Sequence, residues 1–207
     1  VAGAGSEELA AKALSLGVDD YLIKHSAYLH QLATALENAH RKVELLRGRA
    51  RFVAADTVEA DGRRHSAPHV VIATGGRPSL PRIPGAELGI SSDGFFELGA
   101  RPGSVAIVGS GYIAVELAGV FSALGTHTTL VLRRERVLRG FDAMLGDNLM
   151  KSMRDEGVEI LTGAVPSALA RNAQGALELA LADGRSAGAF DVVLWAIGRE
   201  PAVADLN

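Results

Sequence analysis

The stretch from Val105 to Gly119, VAIVGSGYIAVELAG, most constrains what this chain can fold into. Four apolar residues, 105–108, run directly into Gly109-Ser110-Gly111, and an apolar helical pattern follows. This order predicts a buried strand that turns sharply on glycines into a helix, which is the entry to a dinucleotide site. A glycine turn that serves packing alone is the alternative.

Each small residue of the turn has a predicted purpose. Gly109 would allow the tight turn, Gly111 would let the backbone approach a pyrophosphate, and Ala114 would let the helix lie close to the strand. The free N–H groups of the first helical turn, which includes Ile113, would then face the phosphates. Further strands at 128–132 and 158–161, with a helix at about 147–156, predict a Rossmann-like α/β domain.

Composition narrows the class of protein. The net charge of −3 gives no electrostatic reason to expect nucleic acid as a partner. No apolar run approaches the roughly 20 residues that span a bilayer, and the acidic first residues do not resemble a secretory signal, so we expect no membrane contact and a cytoplasmic setting. The chain has no cysteine, and its six histidines are scattered, so neither a thiol site nor a metal site is expected.

The pattern divides the chain at about residues 44 and 98. Residues 1–44 read as helix, strand and helix. Residues 45–98 predict a partial β-meander, with strands at 51–54, 57–60 and 64–67 and a turn at Asp61-Gly62, followed by a buried strand at Val70–Ala73 and a proline-rich linker. Residues 99–207 hold the nucleotide-binding unit, which includes a hairpin from 177 to 187 and a last apolar strand from 191 to 199.

Arginines follow the second predicted strand of the nucleotide-binding unit. A site that prefers NAD places an acid there for the ribose 2′-hydroxyl, whereas this chain has Arg133 and Arg134, with Arg139 on the loop beyond. Guanidinium groups can hold a 2′-phosphate in two-point hydrogen bonds, so the pattern favours NADPH over NADH. A solvated basic loop is the alternative, and Glu135 is the nearest acid.

Two stretches resemble known families. GSEELAAKALSLGVDDYLIK and the helix after it resemble the last third of a response-regulator receiver domain, over residues 1–42, with Lys24 where that family has its lysine. An amphipathic helical hairpin around one strand is the alternative, and we expect no phosphorylation, because the phosphoacceptor aspartate lies earlier in a receiver. From about residue 43 onward, ATGGRPSLPRIPGAELGISSDGFF, GSGYIAVELAG, LRRERVLRGFD and WAIGREP resemble the glutathione reductase family of pyridine nucleotide–disulfide oxidoreductases.

The second resemblance implies an activity. Such enzymes are FAD-containing homodimers that maintain redox homeostasis: NADPH reduces the flavin, the flavin reduces a cysteine pair, and the pair reduces glutathione disulfide. Tyr112 matches the tyrosine that covers the flavin, and Glu116 a glutamate beside it. The resemblance implies an NADPH side formed by Gly109, Gly111, Tyr112, Ile113, Glu116, Arg133, Arg134, Arg139, Gly198 and Arg199, and an FAD side formed by Ala50, Thr74 and Gly75.

Several features of that family do not occur in these 207 residues. They are the cysteine pair, the N-terminal glycine fingerprint for FAD, the glycine–aspartate flavin motif and the dimerisation domain with its His–Glu pair. We therefore expect a truncated or fused fragment that binds FAD poorly and does not reduce glutathione disulfide by itself. A stand-alone NADPH-binding module and an inactive structural fragment are the alternatives.

Overall fold

The structure is a computed structural model that describes residues 46–207. The segment for which a receiver-like helix–strand–helix was predicted, 1–44, lies outside the described residues. The chain divides into two compact units. The described part of the first unit is residues 46–72 with 204–207, and the second unit is residues 73–203.

The elements have the following bounds. The strands are β1 (Ala50–Ala54), β2 (Thr57–Ala60), β3 (Arg63–Ser66), β4 (Gly76–Pro78), β5 (Ile90–Ser91), β6 (Ser104–Val108), β7 (His127–Val131), β8 (Glu159–Leu161), β9 (Pro166–Arg171), β10 (Leu177–Leu181), β11 (Ser186–Phe190), β12 (Val192–Trp195) and β13 (Arg199–Pro201). The α-helices are α1 (Ser92–Phe95), α2 (Tyr112–Ala123) and α3 (Ala143–Asp155).

The first unit contains an antiparallel meander with the order β1-β2-β3. Asp61 and Gly62 connect β2 to β3 with φ values of 48° and 77°, as a two-residue type I′ turn requires. The Phe52 N–H donates to the Leu206 carbonyl at 2.7 Å, so the last residues of the chain extend along β1. The predicted meander and its Asp-Gly turn are confirmed.

The predicted buried strand at Val70–Ala73 is wrong. Residues 70–75 have no strand assignment, and Val71 is 87% exposed. An apolar run can be buried as a strand only where neighbouring strands satisfy its backbone groups. No strand among the described residues pairs with this run, so its side chains remain in solvent.

The second unit is built on a five-stranded sheet with the order β5-β12-β6-β7-β8, in which every pairing is parallel. Continuous apolar runs such as 105–108 need cover on both faces, and parallel sheets provide it. Helices α2 and α3 pack on one face through Phe121, Met150 and their neighbours. The other face packs against an antiparallel sheet with the order β11-β10-β9. The predicted Rossmann-like α/β domain is confirmed.

Two boundaries in the second unit differ from the prediction. Helix α3 begins at Ala143 rather than near 147, because the Asp142 side chain accepts a hydrogen bond from the Met144 N–H at 2.9 Å and so caps the helix. The predicted hairpin of β10 and β11 gains a third strand, β9, whose small residues and initial proline gave no clear strand pattern.

The segment before the parallel sheet packs closely on it. The Trp195 indole N–H donates to the Ala86 carbonyl at 2.8 Å, and both residues are buried. Gly85 has a φ of 76°, and a Cβ there would overlap the Leu169 carbonyl oxygen. Strand β4 pairs with β13, which joins the start of this segment to the chain that leaves β12.

Candidate functional site

The glycine turn joins the end of β6 to the start of α2. Gly109 has a φ of 144°, and a Cβ there would overlap the Ala196 carbonyl oxygen. The Gly109 N–H donates to the Val131 carbonyl at 3.1 Å, and the Ala196 N–H donates to the Val108 carbonyl at 2.8 Å. Hydrogen bonds at this turn therefore hold the ends of β6, β7 and β12 together. Only glycine can occupy position 109, because the positive φ and the close approach exclude a Cβ there.

Gly111 leaves the start of α2 open. It caps the helix with extended backbone and without a side-chain hydrogen bond, and a Cβ there would meet no atom within 4 Å. Among residues 46–207, no acceptor receives the N–H groups of Tyr112, Ile113 and Ala114. Free N–H groups and the positive end of the helix dipole together form a site suited to an anion.

A cleft of ≈ 610 Å³ lies over this turn, at the carboxyl ends of β6, β7 and β12. From β6 the chain moves to β7 on one side, and β12 returns on the other side, so the cleft sits where the strand order reverses. It is lined by Val108, Gly109, Ser110, Gly111, Tyr112, Ile113, Val131, Arg133, Leu138, Arg139, Gly140, Phe141, Ala164, Pro166, Ala196, Ile197, Gly198 and Arg199.

The charge of the cleft has one sign. Arg133, Arg139 and Arg199 line it, and no Asp or Glu is among its described lining residues. Neither Arg133 nor Arg139 forms an ion pair with a described residue. Glu135, the acid nearest in sequence, does not line the cleft. Two guanidinium groups thus face the same space as the helix N-terminus.

The arginines of this loop divide into two groups. Arg133 and Arg139 line the cleft, whereas Arg134, which was predicted to join them, is exposed and does not. Arg136 forms an ion pair with Asp147 of α3, with 2.7 Å between Nε and Oδ1. The loop is therefore attached to α3 through Arg136 and offers two arginines to the cleft.

Leu138 is a site residue that the sequence did not indicate. Its backbone is left-handed, with a φ of 51°, and its N–H donates to the Ser110 carbonyl at 2.7 Å. Left-handed backbone is uncommon outside glycine, and no pattern of residue types predicts it at a leucine. Phe141 and Ile197, which also line the cleft, were not predicted either.

Tyr112 and Glu116 lie one turn apart on α2. Tyr112 lines the cleft and is 61% exposed, so its ring is not part of the core. Glu116 is exposed and does not line the cleft. The structure therefore brings Tyr112 to the predicted site and leaves Glu116 on the helix surface.

Gly198 and Arg199 form the opposite wall. Gly198 has a φ of 145°, and its carbonyl accepts from the Ser79 N–H at 2.9 Å. The Arg199 guanidinium donates to the Gly76 carbonyl and lies 3.4 Å from the Asp93 carboxylate. Arg199 thus lines the cleft while it connects the start of β4 to helix α1.

The residues predicted for FAD are separate from the cleft. Ala50 is exposed at the start of β1 in the first unit. Thr74 and Gly75 are exposed in the second unit, where the Gly75 carbonyl accepts from the Ala202 N–H at 3.0 Å. None of the three lines the cleft.

The remaining described surface offers less chemistry. A hollow of ≈ 370 Å³ beside the meander is lined by apolar residues and Asp56, without a basic group to hold phosphate. Within residues 46–207, no three acidic or histidine side chains are placed to hold a metal ion. No helix in that range is long and apolar enough to cross a membrane.

The parallel sheet is covered on both faces, and its glycine turn and basic cleft lie where the strand order reverses. These features define a dinucleotide-binding fold of the oxidoreductase type. The family model described as pyridine nucleotide-disulphide oxidoreductase matches residues 2–207, and the chain belongs to that family. The match includes residues 2–42, and nothing in the comparisons supports the predicted resemblance to a receiver domain there.

Curated relatives include two glutathione reductases. The chloroplastic/mitochondrial enzyme of Pisum sativum is 39% identical over 88% of this chain and 33% of its own length. The enzyme of Schizosaccharomyces pombe is 42% identical over 89% of this chain and 42% of its own length. The chain therefore spans between a third and just over two fifths of these relatives.

Solved structures with the same fold include a flavoprotein. The HOCl-induced flavoprotein disulfide reductase of Escherichia coli superposes with a TM-score of 0.71 and 26% identity, over 87% of this chain and 42% of that one. An engineered water-forming NADPH oxidase bound to NADPH superposes with a TM-score of 0.59 and 27% identity, over 72% of this chain and 36% of that one.

Proposed function

We propose that the cleft binds NADPH, with the pyrophosphate on the glycine turn and the 2′-phosphate between Arg133 and Arg139. The observation that carries this proposal is the charge of the lining: three arginines and no acid among the described residues. A carboxylate at the end of the second strand would accept hydrogen bonds from a 2′-hydroxyl and repel a 2′-phosphate. The residues present fit the phosphorylated cofactor.

The engineered oxidase supports this proposal independently. That oxidase carries a glycine-to-alanine substitution and, further along its chain, two substitutions to arginine, the second six positions after the first. Arg133 and Arg139 have the same separation, and Ala114 precedes Arg133 by the same 19 positions that separate that alanine from its first arginine. That protein is bound to NADPH.

We further propose that this chain forms the NADPH side of a glutathione reductase-like enzyme that uses FAD to reduce glutathione disulfide. The names of the two curated relatives and of the flavoprotein neighbour support this proposal. NADPH supplies a hydride in such chemistry. These 207 residues include no cysteine, so they do not supply the thiols. The contribution that we propose for this chain is the binding and orientation of NADPH.

The cleft residues have distinct proposed roles. The free N–H groups at the start of α2 hold the pyrophosphate, and the arginines hold the 2′-phosphate. Tyr112 lies on the cleft, exposed, where it would cover the flavin until nicotinamide displaces it. Gly198 leaves the opposite wall without a side chain. Ala50, Thr74 and Gly75 remain the proposed FAD contacts, and Arg134 and Glu116 are proposed to act from outside the cleft.

A stand-alone NADPH-binding module is the second candidate. One observation favours it: all residues that line the cleft belong to the second unit, which has its own buried core on both faces of the sheet. Titration of the full chain with NADPH and with FAD distinguishes the two. Saturable NADPH binding with no bound FAD supports the module, and NADPH-dependent bleaching of bound FAD supports the flavoenzyme.

The NADPH assignment is tested by changing Arg133→Gln and Arg139→Gln together and measuring Kd for NADPH and NADH by calorimetry. We expect NADPH affinity to fall about 100-fold, because two charge-assisted contacts are lost, while NADH affinity changes less than about threefold. Arg154→Gln is the matched control, since Arg154 is exposed near the end of α3, does not line the cleft and forms no ion pair with a described residue. An unchanged NADPH/NADH ratio in the double variant contradicts the assignment.

A further inference from the structure

We infer that Leu138 is a positioning residue for Arg139, and that its left-handed backbone sets the strength of 2′-phosphate recognition in this cleft. This inference rests on the proposed binding of NADPH. It concerns a residue whose side chain has no means to contact phosphate by hydrogen bonds.

The first step is the shape of the loop. Leu138 has a φ of 51°, and the Phe141 N–H donates to the Leu138 carbonyl at 2.9 Å. Arg139 and Gly140 are therefore the two central residues of a closed turn. A left-handed residue immediately before that turn changes the direction of the chain, and Arg139 is among the residues that line the cleft.

The second step is the attachment of the loop. The Leu138 N–H donates to the Ser110 carbonyl at 2.7 Å, within the glycine turn itself. Val137, which precedes Leu138, is buried in the core cluster beside α2 and α3. The Leu138 side chain packs against the same cluster. The arginine turn and the glycine turn are thus connected by one backbone hydrogen bond, whose donor is oriented by the left-handed conformation.

The third step is the freedom of Arg139. Its guanidinium has no ion pair with a described residue, so no charge partner fixes its place. A long unpaired side chain loses conformational freedom when it binds phosphate, and a backbone that is already held in one conformation adds no further ordering cost. Leucine in left-handed backbone is strained, and such strain at a binding site is typical of a conformation retained for function.

The test separates the backbone from the side chain. Leu138→Ile keeps the apolar volume, but its β-branch resists left-handed backbone. Leu138→Asn removes the apolar group and favours left-handed backbone. The probes are adenosine 2′,5′-bisphosphate and adenosine 5′-monophosphate, which differ only in the 2′-phosphate, with Kd measured by calorimetry on the full chain.

We expect Leu138→Ile to weaken the 2′,5′-bisphosphate about tenfold while the 5′-monophosphate changes less than about threefold, as loss of a preorganised turn implies. Leu138→Asn should keep the ratio of the two affinities within about threefold of the wild type. If Leu138→Ile leaves the ratio unchanged, or Leu138→Asn lowers it tenfold, the inference is wrong.

Two results separate this inference from the proposed function. A wild-type chain that binds both probes equally contradicts NADPH recognition itself, whatever the variants do. A wild-type chain that prefers the bisphosphate, with a preference indifferent to residue 138, contradicts only the role of Leu138. If circular dichroism shows that Leu138→Ile does not fold, Leu138→Asn still tests the inference, because a tenfold fall in the ratio of the two affinities in that variant would overturn it.

Discussion

The meander of the first unit and the parallel sheet of the second unit are both β-structure, yet they are held together differently. The centres of β6, β7 and β12 are almost wholly excluded from water, with Ile107, Leu130 and Leu194 at 0% exposure. None of the described residues from 46 to 72 is buried to a comparable degree. The meander instead relies on its tight turn and on ion pairs at Glu59.

The difference shows where this chain can hold a precise site. A close-packed core fixes strand ends to within a fraction of an ångström, and the cleft lies on such ends. The meander, whose β-strands are only half-covered, can change a side chain at little cost. Matched substitutions in the meander and in the parallel sheet therefore test whether the two regions differ in how closely they are packed.

The largest difference should come from glycine. Gly109→Ala would overlap the Ala196 carbonyl at a φ of 144°, and we expect the second unit to lose about 4 kcal/mol from strain and overpacking together. Gly62→Ala in the meander also has positive φ, but no atom lies within 4 Å, so only the conformational cost of about 1 kcal/mol applies.

Urea unfolding followed by Trp195 fluorescence measures the first of these, because this is the only tryptophan and it is buried in the second unit. Amide exchange in β2 and β3 measures the second. Equal losses for the two variants would contradict the proposed difference in packing between the two units.

A core deletion should have the next largest effect. Leu130→Ala empties a fully buried position in β7 and should cost about 3 kcal/mol of unfolding free energy. Val58→Ala in β2 removes a half-buried side chain and should cost about 1 kcal/mol. The same two measurements apply, and a Val58 effect as large as that of Leu130 would show that the meander has a core of its own.

Trp195→Phe should have a smaller effect. The indole N–H is one of two donors to the buried Ala86 carbonyl, which also accepts from the Gly89 N–H at 3.2 Å, so loss of the indole hydrogen bond and of part of a buried ring should together cost about 2 kcal/mol. Thermal unfolding followed by circular dichroism measures the change. A variant as stable as the wild type would mean that the hydrogen bond is dispensable and that packing alone holds the segment before the sheet.

The smallest effect is a dependence on pH in the meander. The hydrogen bond from Arg51 holds the pKa of Glu59 below its usual value, and Arg64 acts in the same direction. Because the pKa is lower in the folded chain, this contribution to stability is present above the ordinary glutamate pKa and is lost as pH falls through the folded value.

Glu59→Gln should therefore flatten the pH dependence of the meander's thermal stability on the acid side. Asp183→Asn is the counterpart in the second unit, since a hydrogen bond from Arg185 lowers the pKa of Asp183 in a surface turn. Nuclear magnetic resonance of the β1–β3 amides, recorded against temperature and pH, measures the thermal stability of the meander in the Glu59→Gln variant. If the thermal stability of the wild-type meander does not change at acid pH, ionised Glu59 does not contribute to that stability.

Local patterns predicted much of the second unit. The strand–glycine–helix order is determined by neighbours in sequence, as is the Asp61-Gly62 turn of the first unit, and the structure shows both as expected. Helix α3 begins at Ala143, earlier than its predicted start near 147, and Gly146 lies in its first turn. In the structure Gly146 is buried against the Val137 carbonyl, where a larger residue would crowd it.

Features that depend on distant partners were not predictable. Val71 is apolar and was expected to be buried, but burial depends on strands that its own segment does not encode. Arg133 and Arg134 look equivalent in sequence, and only the path of the loop decides that Arg133 lines the cleft. Leu138 lies in a conformation that its residue type disfavours, so tertiary hydrogen bonding had to override the local preference.

The one-signed lining of the cleft also has a consequence for encounter. The chain as a whole carries a net charge of −3, which by itself would slow the approach of a polyanion. Arg133 and Arg139, neither of which is paired with a described acid, make the local field positive, and that field extends over a Debye length of about 8 Å at physiological salt. A phosphorylated nucleotide would therefore be drawn to this edge of the sheet before any hydrogen bond forms, and more strongly as the ionic strength falls.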